Sequence, residues 1–282
     1  MNKYVHLCVM MVLLSSVSLC AGCDSQPTQT EFHENPQDFQ SFAENAWASS
    51  RPDYGLYPGS TVEQRGGEVV VETAVYPLGS SAEGYSRSWI ADARIDTESE
   101  TVRASALPRT RLGHVLEQFG STSQSSENIK NTRRLLAQIG ASVEVTAVVE
   151  LAEPMTEESL WGSNPSLPRP QRALLSRAEG ALPIGNSLNC GKPCDAQSYV
   201  SVFQKWVSVL QARDRGALAA FDLDLERLKK AAQEGKIYGL IYESYDPRSL
   251  LEISKNAQVK ALYVADVNLK CRSGESATCE PT

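Results

Sequence analysis

Histidine is scarce in this chain. It occurs three times in 282 residues, at His6, His33 and His114. A Ser-His-Asp triad or a Cys-His pair would have to draw on His114, and no Gly-x-Ser-x-Gly elbow accompanies it. Zinc sites built on closely spaced histidines are excluded by the same count, so His114 reads as a surface or packing residue of a helix. Phosphate-cradling loops are missing too: Gly66-Gly67 reads as a turn between strands, without a Gly-Lys-Ser or Gly-x-Gly-x-x-Gly context. Basic residues are outnumbered, 27 Lys and Arg against 34 Asp and Glu, for a net charge of −7. Phosphate backbones are bound by clustered Lys and Arg, so a nucleic-acid partner is not expected. Carboxylates are plentiful, as at Asp222, Asp224 and Glu226, and read as the solvated face of one helix. No catalytic residue, metal or cofactor is expected.

Long apolar runs are absent except at the N-terminus. Met1 to His6 carries one lysine and no acid, Leu7 to Leu19 is apolar apart from serines and a cysteine, and no acid appears before Asp24. That is the layout of a secretory signal. The run ends in Leu19-Cys20-Ala21-Gly22-Cys23, which resembles the lipobox of bacterial lipoproteins, with Cys20 standing where the family usually carries leucine. The resemblance implies cleavage after Gly22 and a lipidated Cys23, acylated by chains such as palmitate, as the first residue of the mature protein. It implies a protein held at the cell membrane by lipid and facing the extracytoplasmic side, periplasm or cell surface. An uncharged run of about 18 residues is also long enough to span a bilayer, so an uncleaved anchor and simple secretion are the alternatives.

The address changes the meaning of the cysteines. Cys8 and Cys20 leave with the signal and Cys23 is taken by lipid, so Cys190, Cys194, Cys271 and Cys279 remain. An even number in an oxidising compartment reads as two disulfides, 190 with 194 and 271 with 279, with the cross-pairings open. Cys190-Gly191-Lys192-Pro193-Cys194 also admits a redox reading, because a cationic neighbour and a helix N-terminus lower a thiol pKa.

Along the mature chain, residues 23–35 read as a polar tether. Residues 36–140 read as a β-meander with helices. Asn35-Pro36 offers a cap and a proline at the first helical position, ahead of a Phe39, Phe42, Ala43, Ala46, Trp47 stripe. Arg51 to Arg65 is turn-rich, and period-two alternation marks strands at Glu68–Tyr76, Tyr85–Asp96 and Thr101–Ala106. Leu107–Phe119 and Ser126–Ile139 read as helices. From 141 to 270 the pattern is α/β. Ser142–Leu151 is a valine-rich buried strand, followed by a short helix that begins near Glu153. Residues 161–193 are a proline-punctuated loop with one helical turn at Gln171–Ala178, which reads as a variable loop or, in the alternative, as a partner-binding surface. A helix capped by Asp195 carries Tyr199, Val202, Phe203, Trp206, Val207 and Leu210, and a second runs on after Gly216 to Gly235. Residues 271–282 form a cysteine-bounded tail.

Tyr238-Gly239-Leu240-Ile241-Tyr242, Pro247-Arg248-Ser249-Leu250-Leu251 and Val259-Lys260-Ala261-Leu262-Tyr263 resemble the closing β-α-β of subtilisin-propeptide-like inhibitor domains. Val145 to Leu160 would supply the opening strand and helix. The resemblance implies a ferredoxin-like unit. Asp266 lies one residue from the spacing of the family's acid, and the tail does not match the inhibitory segment, so inhibition is not carried over. The expected class is α+β: an antiparallel β-rich N-terminal portion, then a ferredoxin-like portion carrying a long insertion and two helices. The expected function is a non-enzymatic protein-binding or scaffold lipoprotein, with a thiol-disulfide protein or a protease-inhibitor-like domain as alternatives.

Overall fold

The computed structural model describes residues 35–79, 88–121, 125–140, 142–162, 167–178, 180–187 and 198–269. Its first element, α1 (Pro36–Ser50), forms where the sequence places it. Asn35 Oδ1 accepts the Gln37 N–H at 3.2 Å, proline occupies the first turn, and Asp38 faces the positive end of the helix. Phe39, Phe42, Ala43, Ala46 and Trp47 are buried, and each large side chain among them contributes about 2–3 kcal/mol relative to exposure. Phe42 and Trp47 meet the edge of Phe221 at 5.9 and 5.2 Å.

An antiparallel sheet lies against α1. Its central strand β3 (Glu68–Pro77) pairs on one side with β1 (Tyr54–Leu56) and β2 (Thr61–Arg65), and on the other with β4 (Trp89–Asp96). β5 (Val102–Ala104) completes it beyond β4. Val69, Val71, Val75, Ala91, Ala93 and Ile95 are buried on the inner face. The alternate positions place Arg94 2.6 Å from Asp92 and 3.9 Å from Glu68. Gly66 and Gly67, at φ +53° and +87°, make the two-residue β2–β3 turn. The turn-rich stretch 51–65 therefore also holds two strands. β2 is almost wholly exposed, so it carries no apolar alternation; backbone pairing to β3 holds it, with Val62 against the core and Arg65 3.7 Å from Glu72.

The next helix, α2, is shorter than expected, spanning Arg111–Glu117. The Leu107 and Pro108 carbonyls turn away to Arg51, and Thr110 caps the helix. Helix α3 (Ser125–Gln138) follows.

The second antiparallel sheet contains β6 (Val143–Met155), β7 (Arg172–Leu174), β8 (Gly185–Ser187), β9 (Ile237–Tyr245) and β10 (Val259–Leu269), in the order β10-β6-β9-β7-β8. Counting only β6, β7, β9 and β10, the order is fourth, first, third, second, the split β-α-β layout of ferredoxin-like units. The crossovers carry α4 (Glu157–Trp161) and α8 (Pro247–Ser254), the latter capped by Asp246. The class is α+β.

The proline-punctuated stretch is not a plain insertion. In place of a helical turn at Gln171–Ala178 it supplies β7, the strand that completes the edge of β9, and then β8. Two buried hydroxyls hold the approach to β7: Tyr199 donates to the Pro170 carbonyl at 2.6 Å and Tyr242 to the Pro168 carbonyl at 2.7 Å. Prolines favour extended backbone before them, and here that bias serves a strand.

Helix α5 (Tyr199–Val209) is capped by Ser198; Asp195 lies outside the described residues. The helix expected after Gly216 is two, α6 (Arg215–Ala219) and α7 (Leu225–Glu234). The break falls at Asp222, whose φ is +58°, and Asp224 restarts the chain by accepting the Arg227 N–H at 2.8 Å. Burial of Phe221 and Leu223 on either side outweighs helix continuity. Gly235 ends α7 in the left-handed region.

One buried cluster runs from α1 and the first sheet through α5 and α7 to α8 and one face of the second sheet. The other face of that sheet carries a separate cluster of Leu78, Leu112, Leu116, Phe119, Val148, Leu174 and Ile241. β6 is thus covered on both sides, which explains its near-continuous valine content.

Candidate functional site

The five cysteines singled out from the sequence, Cys23, Cys190, Cys194, Cys271 and Cys279, all lie outside the described residues, as does His33. His114 sits exposed in the last turn of α2, with Nδ1 3.5 Å from Glu117 Oε2. The acids at 222–226 are not one solvated face: Asp222 occupies the helix break, Asp224 is a cap and Glu226 pairs with Arg215 at 2.7 Å. Asp266 accepts from Arg111 at 2.9 Å and from its neighbour's N–H, Val267, at 3.0 Å. Among the described residues no group of three or more His, Cys, Asp and Glu is placed to hold a metal ion. No described helix is long and apolar enough to cross a membrane.

The polar groups that sequence reasoning missed are buried ones, gathered around the second cluster. Asp53 is fully buried beside the start of α2. Its two oxygens receive Arg51 Nε and Nη2, each at 2.9 Å, and Thr110 Oγ1 at 2.7 Å. Thr110 in turn accepts the Gly113 N–H at 2.8 Å, while Arg51 reaches the Leu107 and Pro108 carbonyls at 2.7 and 2.6 Å. Burial pulls the Arg51 pKa down, but the hydrogen bond and charge of Asp53 outweigh it, and the net shift is upward.

At one end of the second sheet, Glu150 on β6 is 2 % exposed. Lys260 Nζ lies 2.6 Å from one of its oxygens and Tyr263 donates to the other at 3.1 Å. Burial, then the charge and hydrogen bond of Glu150, push the Tyr263 hydroxyl up to about 12. A carboxylate in the middle of an apolar run on a strand covered on both faces requires a cation beside it, and that was the available signal for this pair.

At the other end, β3 runs into Leu78-Gly79, and these two residues meet β6 and β9. Gly79 has φ +81°, and a Cβ there would stand 2.8 Å from Thr146 Oγ1. The Gly79 N–H bonds the Glu243 carboxylate, and its carbonyl accepts Asn268 Nδ2 at 2.5 Å. Burial raises the Glu243 pKa, against the opposing charge of Arg172 and the Gly79 bond. Burial lowers that of Arg172, whose guanidinium is nearly inaccessible. Arg172 Nη1 and Thr146 Oγ1 have no hydrogen-bond partner among the described residues.

These groups are built to hold elements together. Asp53 and Glu150 have their oxygens committed to cations and hydroxyls. Glu243 differs from them in that burial raises its pKa. Exposed apolar side chains lie elsewhere, among them Ile90 at the start of β4, 66 % exposed beside Trp89. Comparisons with family models, curated proteins and solved structures find no match to this chain.

Proposed function

We propose that this protein is a lipid-anchored, extracytoplasmic lipoprotein whose α+β body serves as a protein-binding or scaffold module. The observation that carries the reading is the sequence Leu19-Cys20-Ala21-Gly22-Cys23 at the end of an apolar, acid-free leader. The polar stretch from Asp24 to Glu34 separates that cysteine from the Asn35 cap of α1. Two acyl signals on one residue hold firmly, because each buried CH₂ contributes about 0.8 kcal/mol. A binding body is favoured over a hydrolase built on paired carboxylates because Asp53 and Glu150 are each tied to their own cation. The chain's own lipid, rather than surface charge, makes the membrane contact.

Intact-mass analysis of protein extracted in detergent tests this reading. The expected mass is that of a chain beginning at Cys23 plus acyl groups, with palmitate label incorporated and lost in Cys23→Ser. The same spectra, taken with alkylation before and after reduction, should show no free thiol until reductant is added. An unmodified chain that leaves the membrane at once would overturn the anchor. Ready reduction of Cys190 and Cys194 alone, near the potential of exchange catalysts, would replace the scaffold reading with a redox one.

A further inference from the structure

β4 is longer than the strand that covers its outer edge. It pairs with β3 from Trp89 to Asp96, but with β5 only at Ala93, Arg94 and Ile95. One further step of that edge is closed by Ser105, whose N–H bonds the Asp92 carbonyl at 2.8 Å and whose hydroxyl accepts the Asp92 N–H at 3.1 Å. Both Asp92 backbone groups therefore point away from β3.

The β3–β4 register runs without a shift from Asp96 to Trp89, so Ile90, two residues before Asp92, directs its N–H and carbonyl the same way. A second contact agrees. The carbonyl of Ala74, opposite Ile90, is taken by the Tyr57 N–H at 2.9 Å on the far side of β3. No described residue bonds the outward backbone groups of Ile90. Its side chain is 66 % exposed, on the outer face with Ala74, and Trp89 on the inner face stands edge-on to Tyr54 at 6.1 Å.

We propose that the edge of β4 at Ser88–Ile90 is a strand-addition site for an extended peptide segment of a partner protein. The inference rests on the reading of the body as a protein-binding module. An outward pair of backbone groups is satisfied by extended backbone, and such a segment continues the line of β5 where β5 itself has turned away. The position opposite Ile90 calls for an apolar side chain, since cross-strand neighbours share a face. A second copy of this chain fits less well. Antiparallel self-pairing centred on Ile90 would drive Ser88 of one copy into the Ser105 of the other. Centring on Trp89 instead sets Ile90 against Ser88, leaving it without an apolar neighbour.

The test is an NMR and hydrogen-exchange titration of the full mature chain. The probe is a capped hexapeptide of alternating valine and threonine, ended by lysine for solubility. The expected result is saturable binding in which the Ile90 amide gains at least about tenfold protection, weakened about fivefold by Ile90→Lys. A peptide N-methylated on the amides that face β4 should not bind. The proposal is overturned by equal binding of the methylated peptide, by no binding, by an Ile90 amide already as protected as Ala91 in the free protein, or by protection that rises with protein concentration alone. Ile90→Lys changes an exposed side chain, and an unchanged melting temperature confirms its fold. Loss of acylation at Cys23 would defeat the anchor without touching this result, and a failed titration would defeat the edge without touching the anchor.

Discussion

Arg51 and Asp53 face each other through two parallel hydrogen bonds, Nε to Oδ1 and Nη2 to Oδ2, each 2.9 Å. They are two residues apart, yet what they organise is distant. The remaining Arg51 bonds fix the Leu107 and Pro108 carbonyls, and the third Asp53 bond orients the cap of α2. Through them the end of α1 dictates where α2 begins, and α2 covers the second face of the second sheet.

Removing one partner of this pair strands the other. Asp53→Ala should destabilise the protein by about 3–5 kcal/mol, the usual cost of leaving a buried ion uncompensated. Arg51→Met combined with Asp53→Leu should cost clearly less. Urea unfolding at neutral pH reads both, and a single-variant loss below about 1 kcal/mol would show the pair to be no more than a surface bridge.

Glu243 gives a pH dependence of definite sign. Its pKa is raised above the ordinary 4.5, chiefly by burial, so the folded chain holds its proton more tightly than the unfolded chain does. Its contribution is fully present below the unfolded pKa and is lost as pH rises through the raised folded value. Glu243→Gln should therefore gain stability relative to the parent as pH is taken from about 4.5 toward neutrality. Thermal unfolding of both proteins across that range is the check. A gap that shrinks with rising pH would mean that the carboxylate is held charged by Arg172.

Gly79 is required twice over, by its φ of +81° and because a methyl group added there would stand 2.8 Å from Thr146 Oγ1. Gly79→Ala should cost about 1–3 kcal/mol. Thr146→Ala in the same chain should return the steric part and leave the backbone part. Strict additivity in the double-mutant cycle would rule out the contact.

Where local pattern is strong, sequence and structure coincide. α1, β3, β9, α8 and β10 form where their caps or apolar periods place them. β6 instead runs past Leu151 to Met155, so that the helix expected near Glu153 begins only at Glu157, behind the Thr156 cap. The misses share a cause. β7 and β8 span three residues each and β2 turns most of its side chains to solvent. Strands of that kind are stabilised by a neighbour's backbone, which leaves no period in their own residues. The break at Asp222 is of the same type, since a helical stripe continues through it and only the burial of Phe221 and Leu223 against distant elements decides the outcome.

The residues singled out for chemistry divide in the same way. The proposed lipobox and tether, and the cysteine inventory, are properties of linear order and need no fold to be recognised. Which charges are buried could not be read so. Asp53 and Arg172 stand in unremarkable local sequence, and Glu150 is marked only by the apolar run around it. Each faces groups far along the chain: Thr110 for Asp53, Lys260 for Glu150, and Tyr76 with Glu243 for Arg172. The edge at Ile90, left uncovered among the described residues, belongs with them, because it lies where β5 stops short of the end of β4. Local order determined most of the elements, and the proposed address rests on it entirely. Tertiary structure alone decided which polar groups lost water and which backbone groups kept it, since both depend on what a distant segment covers.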